Sequence, residues 1–195
     1  MPKHNRSVLA LAAAVLAVSG IVASGGTAAS AAPNPGRDLI NKMDGSRLAL
    51  LGNGTGEGAV AITLRDPAWK YSTERWETNL SAWEADAPNT YTATLRNEAA
   101  NKCLQPSTAT PDRGTTVVVR TCDGSLLQKW SLMGEKVDGK HTGWWMYRPV
   151  VDTKLALGLN RYNDGSWDTL YLNIAQPSSD RLWRVAGNDE PVANG

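Results

Sequence analysis

Residues 160–166, Asn-Arg-Tyr-Asn-Asp-Gly-Ser, place amide, carboxylate and hydroxyl groups between two aromatic rings, Tyr162 and Trp167. Within this set, Asn160 and Asp164 could hydrogen-bond the hydroxyls of a sugar while the Trp167 ring stacks on the apolar face of the pyranose. The same residues equally describe a loop whose tryptophan covers buried strands beneath it. Other chemistry finds little support. His141 is the one histidine beyond the N-terminal segment, so a Ser-His-Asp triad or a metal site would rest on it alone. Glu74, Glu77, Glu84 and Asp86 could supply a glycosidase pair, which needs only a set separation in space, but such density of charge is expected to be solvated loop. Glycines 52, 54, 56 and 58 lack the G-x-G-x-x-G spacing and lead into a strand, which makes them a turn. No catalytic residue, metal or cofactor is therefore expected, and the chain is expected not to be an enzyme.

A loop of this kind needs strands to hold it, and the sequence supplies them as a repeat. Residues 71–79, 125–132 and 178–185 close alike around Trp76, Trp130 and Trp183, which are 54 and 53 residues apart. The run from Gly114 to Trp130 aligns without a gap on the run from Trp167 to Trp183, setting Thr115-Thr116-Val117-Val118-Val119 against Asp168-Thr169-Leu170-Tyr171-Leu172. Upstream, Arg96 and Lys102 match Arg148 and Lys154 at an offset of 52, with one residue inserted between the blocks. In the first repeat the counterparts are Arg47-Leu48-Ala49-Leu50 and the apolar run 59–64. Loops rich in turn formers separate these strands at 52–58, 106–114 and 160–166. No helical period is sustained, so an all-β fold is expected, closed into a pseudo-symmetric barrel that leaves no exposed edge. The repeats span about 37–83, 84–137 and 138–187.

Residues 1–31 have the three parts of a secretory signal peptide: basic Lys3 and Arg6, an apolar run from Val8 to about Val22, and small Ala29-Ser30-Ala31. The run is too short and too interrupted for a spanning helix, so membrane insertion is not expected. Residues 32–195 then hold 18 basic and 19 acidic side chains, and no cluster of positive charge suggests nucleic acid. Export would place the two cysteines, Cys103 and Cys122, where disulfides persist; two buried thiols are the alternative. Eight Trp and five Tyr stand beside no Phe, a composition suited to half-wet binding surfaces. Asn53-Gly54-Thr55 and Asn79-Leu80-Ser81 are glycosylation sequons, relevant only in a eukaryotic secretory route.

The second repeat, NKCLQPSTATPDRGTTVVVRTCDGSLLQKWSL, resembles the ricin B-type lectin repeat through Cys103-Leu104, Gly114 before a Val-rich strand, Cys122-Asp123-Gly124 and Gln128-Lys129-Trp130. The first and third repeats keep the tryptophan but carry Glu74-Arg75-Trp76 and Arg181-Leu182-Trp183, without cysteines. The resemblance implies a β-trefoil of three four-stranded repeats, with Trp76, Trp130 and Trp183 packed about the pseudo-threefold axis. Gln128 would then bond loop backbone, and the Glu and Arg in its place must find other partners.

Sugar-binding members of that family use an Asp after the Cys-Leu strand, a Gln and an aromatic in the Val-rich strand, and an Asn before the Gln-x-Trp. Here the second repeat has Gln105, Val118, Arg120 and Leu127, and the first offers Leu50, Ile62 and Leu64. The third has Leu157 or its neighbour, then Tyr171, Asn173 and Asp180. Any sugar site is thus expected on the third repeat, rebuilt from different groups: Asn160, Asp164, Trp167, Tyr171 and Asn173. The expected partner is an extracellular glycan. The alternative is a trefoil that lost sugar binding and docks a secreted protein, as an inhibitor or as the targeting subunit of a toxin-like assembly, through Trp69, Trp83 or Trp144.

Overall fold

Side chains along a strand alternate between two sides, as a pleat of period two requires. In the Val-rich run, Val117 and Val119 join the main core while Val118, between them, does not. The computed structural model describes residues 37–83, 90–160 and 165–186. The expected signal peptide, Asp164 and residues 187–195 lie outside them.

Twelve strands follow in chain order: β1 (Arg37–Asn41), β2 (Arg47–Leu50), β3 (Ala61–Leu64), β4 (Arg75–Trp83), β5 (Thr90–Asn97), β6 (Lys102–Pro106), β7 (Val117–Thr121), β8 (Trp130–Val137), β9 (Lys140–Pro149), β10 (Leu155–Leu159), β11 (Trp167–Ile174) and β12 (Leu182–Ala186). Among the described residues there is no α-helix; 3-10 turns at Ser72–Glu74, Leu126–Gln128 and Ser179–Arg181 lead into β4, β8 and β12, and another at Leu51–Asn53 follows β2. Antiparallel pairing runs β1 to β4, β4 to β5, β5 to β8, β8 to β9, β9 to β12 and β12 back to β1, closing a six-stranded barrel. The remaining strands form the hairpins β2/β3, β6/β7 and β10/β11, which cap one end. Pairing of β11 with β3 and the bridges Val60 to Val118 and Thr116 to Tyr171 tie the three hairpins to one another in a cycle.

The threefold order is clearest in the core. Trp76, Trp130 and Trp183 are almost wholly buried, and each indole N–H donates to the carbonyl of a leucine in its own cap hairpin: Leu48 at 2.9 Å, Leu104 at 2.9 Å and Leu157 at 3.1 Å. A large aromatic with one polar handle thus buries its rings where the repeats meet and still satisfies its donor. These bonds make Leu48, Leu104 and Leu157 equivalent and correct one detail of the sequence alignment. With Leu104 set on Leu157, Lys102 matches Leu155 and not Lys154, so the inserted residue falls in the turn between β9 and β10.

Candidate functional site

On each cap hairpin the side chains that do not enter the core face outward, and these three faces hold the positions at which a sugar would sit in the resembled family. In the third, Leu155, Leu157, Leu159, Leu170 and Leu172 fill the core, which leaves Ala156, Gly158, Tyr171 and Asn173 on the outward side. Gly158 lies opposite Tyr171. A Cβ on Gly158 would come within 3.3 Å of Arg181 Cγ and 3.8 Å of the carbonyl oxygens of Asp180 and Tyr171, so glycine lets the Arg181 side chain and the backbone pack closely there. Asn173 Nδ2 donates to the Tyr171 hydroxyl at 3.4 Å, and Asn173 Oδ1 accepts from the Ile174 N–H at 2.9 Å. The Asp180 carbonyl lies near Gly158, while its buried carboxylate accepts from the Ser178 hydroxyl at 2.5 Å and lies 3.7 Å from Arg181.

Of the residues singled out in the sequence, Tyr171 and Asn173 therefore meet directly, and half-buried Asn160 follows Leu159 at the head of the same hairpin. Trp167 lies four residues before Tyr171 on β11, about 13 Å along an extended strand. It pairs with Leu64 and, half-buried, packs with Tyr71 on the cluster of Ala49, Ile62 and Leu64. Trp167 thus covers the outward face of the first repeat. Gly158 went unnoticed in the sequence, although a lone glycine inside the apolar strand Leu-Ala-Leu-Gly-Leu is a signal of close backbone approach.

The other two faces are occupied. In the first, the family position falls on Ala49, opposite Ile62, and not on Leu50, which belongs to the core. Ala49, Ile62 and Leu64 fill that face with apolar groups. In the second, Gln105 lies opposite Val118, and its Oε1 accepts from Gln128 Nε2 at 3.0 Å. Glu57 reaches across from the first repeat and accepts from the Thr121 hydroxyl at 2.5 Å and the Thr121 N–H at 3.0 Å, with Lys102 and Arg120 within 4.0 Å. The hydrogen bond from the Thr121 hydroxyl, above all, holds the Glu57 carboxyl below its ordinary range.

The residue two before each motif tryptophan solves one problem in three ways. Gln128 accepts from the Asp123 N–H at 2.9 Å and donates to the Thr121 carbonyl at 2.9 Å, the loop bonding that the resemblance implied. Glu74 instead accepts from Arg47 Nε and from the Tyr71 N–H, each at 2.6 Å. Arg181 donates to the Ser178 hydroxyl. Glu77, too, is buried, and pairs with Arg96 at 2.7 Å. This corrects the expectation that Glu74 and Glu77 are solvated loop charge: the strands fold them inward, where arginines neutralise them. Burial, then the nearby Glu74 carboxylate, raises Asp38 against the pull of Arg47, Lys70 and Arg75.

The clip beneath each face varies in the same way. Cys103 and Cys122 form a disulfide in the second repeat. In the first, Arg47 takes the place of Cys103, and its guanidinium donates at 3.1 Å to the carbonyl of Asp66, the counterpart of Cys122. In the third, the two positions are Ala156 and Ala175, packed together with Met146 and Leu182.

Outside the motif, Trp69 is the most exposed tryptophan among those described and stacks on Tyr71 with ring centroids 6.2 Å apart. Alternation along β9 sends Trp145 and Tyr147 to the main core and Trp144 to the other side, under the Arg184 and Lys42 cations. The side chain of Trp83 lies outside the described residues. Among the described residues no cluster of His, Cys, Asp or Glu could hold a metal ion, and no helix is long and apolar enough to cross a membrane.

No family model matches the sequence, and no curated protein does. Solved structures do match. A designed threefold-symmetric protein, ThreeFoil, is 17% identical with a TM-score of 0.61, over 77% of this chain and 96% of that one. The Rhizoctonia solani agglutinin is 14% identical with a TM-score of 0.60, over 80% of this chain and 98% of the agglutinin. An exo-β-1,3-galactanase from Clostridium thermocellum is 15% identical with a TM-score of 0.62, over 79% of this chain but 30% of the galactanase. At such identities the likeness is one of fold, and together with the closed barrel and its three cap hairpins it makes the chain a β-trefoil.

Proposed function

We propose that the protein is a secreted carbohydrate-binding module, not an enzyme, whose site is the outward face of the third repeat. One observation carries this reading. Tyr171 and Asn173 meet on the outward face opposite Gly158, whereas the equivalent faces are filled by Ala49, Ile62 and Leu64 or crossed by the Glu57 network. Tyr171 supplies a ring and a hydroxyl and Asn173 an amide, groups that stack a pyranose and fix sugar hydroxyls. Asn160 stands at the head of the same hairpin. The names of an agglutinin and a galactanase among the matching structures support a glycan as the ligand class. Export is supported by the three-part leader at 1–31 and by a disulfide, a bond that persists in oxidising compartments. A glycan array probed with the secreted chain tests the proposal: at least one oligosaccharide is expected to bind, and Tyr171→Ala is expected to weaken it about tenfold or more, the loss of more than 1 kcal/mol of contact. An array without a binder would overturn it.

A second reading, docking of a secreted protein, is favoured by a groove of about 730 Å3 on the β8, β9 and β12 side. Its floor includes Met133, Met146, Ile174 and Leu182, its rim Lys136 and Lys154, and both Met133 and Ile174 are exposed. An apolar segment flanked by acidic residues would suit it. A partner from culture supernatant released by Met133→Glu would support this reading, and binding indifferent to that change would not.

A further inference from the structure

The Glu57 carboxylate rests on the second repeat as a ligand rests in a site. It comes from the loop after β2 and meets Thr121, 64 residues further along the chain. There the Thr121 hydroxyl donates to Oε1 at 2.5 Å, and the Thr121 N–H lies 3.0 Å from Oε1 and 3.2 Å from Oε2. Lys102 Nζ stands 3.8 Å from Oε1, and Arg120 Nη1 stands 4.0 Å from Oε2. Two neutral donors and two cations of the β6/β7 hairpin thus converge on one carboxylate, a set that recognises an anion by charge and directed hydrogen bonds together. The Thr121 hydroxyl, above all, favours the ionised form of its guest.

Little besides this cradle holds the guest. The Glu57 and Arg120 side chains are 46% and 50% exposed, so water competes for their contact, and ion pairs of that kind contribute little to folding. The backbone beside Glu57 is fixed by other bonds. The Gly58 N–H donates to the Val119 carbonyl at 2.9 Å and the Ala59 N–H to the Gly56 carbonyl at 3.2 Å, while Gly58 turns the chain at φ +77°, a conformation that favours glycine. Rotation of one exposed side chain therefore vacates the cradle without moving either repeat. Among the described residues Glu57 is the one carboxylate within 4.0 Å of Lys102 or Arg120, so its departure leaves both cations without a counter-charge and both Thr121 donors without this acceptor. A free carboxylate restores these contacts one for one. The groups around it are charged or polar, and none that touches the carboxylate is aromatic, which suits a carboxylate carried on a hydroxylated ring over one carried on an apolar chain.

We propose that the second repeat carries a carboxylate-binding site that Glu57 occupies from within the chain, and that the uronate group of an acidic sugar takes its place. The site lies on a different face from Tyr171 and Asn173 and reads a charge, so either site can fail alone. Its tether gives Glu57 an effective concentration on the order of millimolar, and a single uronate competes against that. Amide chemical-shift titration of the full chain with D-glucuronate tests the proposal. Glu57→Ala is expected to show saturable shifts at Arg120 and Thr121, with an affinity about tenfold or more above that of the unaltered chain, because the internal competitor is gone. Adding Arg120→Ala or Thr121→Val to that variant is expected to lower its affinity about tenfold, the weight of one charge-assisted contact. Glucose is expected to shift neither chain, and Tyr171→Ala is expected to leave glucuronate binding unchanged. Should Glu57→Ala not fold, Glu57→Gln, which keeps the shape and removes the charge, is expected to raise glucuronate affinity in the same direction. Absence of saturable glucuronate binding to the folded Glu57 variant would overturn the proposal, as would equal shifts with glucose or binding indifferent to both Arg120→Ala and Thr121→Val.

Discussion

Arg47 and Glu74 lie 2.6 Å apart with each side chain about 6% exposed, an ion pair that joins the first cap hairpin to the turn before Trp76. Arg47 also donates to the carbonyls of Asp66 and Trp69, at 3.1 and 2.8 Å. Three of its donors are therefore engaged by groups that the fold holds in place. Glu74→Ala would strand a buried guanidinium and is expected to destabilise by about 3–5 kcal/mol in urea denaturation. Glu74→Gln, which retains an acceptor for the Tyr71 N–H, is expected to cost less. Equal, small effects of both would show that the pair contributes little.

The disulfide between Cys103 and Cys122 spans 19 residues. Closure of such a loop in the unfolded chain is worth ~3 kcal/mol. Cys103→Ala with Cys122→Ala is expected to lower the melting temperature by roughly 6–12 °C. The Ala156 and Ala175 pair of the third repeat shows that the fold accommodates alanine at both positions, so the variant is expected to fold.

Three tryptophans making the same bond to Leu48, Leu104 and Leu157 lead to a test by symmetry. Trp76→Phe, Trp130→Phe and Trp183→Phe each leave a buried carbonyl without its donor. Each is expected to cost about 1–3 kcal/mol from that loss, with a cavity contribution added. A variant with no measurable loss of stability in chemical denaturation would remove its tryptophan from the common core.

Two carboxylates give opposite pH behaviour. Burial raises Glu135, but hydrogen bonds from Lys42, at 2.7 Å, and from Thr142 more than offset it, and its pKa is lowered from 4.5. Its contribution is present above that ordinary value and is lost as pH falls through the lower folded one. Asp38 is raised from 3.8, so its effect has the other sign: stability is full below 3.8 and is lost as pH rises through the folded value. Asp38→Asn is accordingly expected to stabilise the protein at neutral pH, with the gain vanishing below pH 3.8 in denaturation followed against pH. A gain that persisted in acid would contradict the raised pKa.

Much of the fold was legible because period-two burial and a recurrent tryptophan are local signals. Trp76, Trp130 and Trp183 announced three copies of one unit, and Val117 and Val119 announced which side faces the core. Exact register was harder: Leu50 and Ala49 differ by one place, and that place decides whether a residue enters the core or the outward face. Buried charge was hidden for another reason. Nothing near Glu74 in sequence reveals Arg47, which lies 27 residues away and meets it only through the barrel. The candidate site was divided similarly. Tyr171 and Asn173 share a strand face and so were legible as a pair, whereas Trp167 was drawn to the first repeat by pairing of β11 with β3, a contact of long range.

Amide chemical-shift mapping of the chain, titrated with an oligosaccharide that binds on the array, tests sugar binding at the third repeat most directly. Shifts are expected to concentrate at Gly158, Tyr171, Asn173 and Asp180, and Asn173→Ala is expected to weaken binding about tenfold. Shifts that cluster instead on Ala49 and Ile62, or on Gln105 and Val118, would contradict the placement of the site, and an unshifted spectrum at saturating sugar would contradict the function.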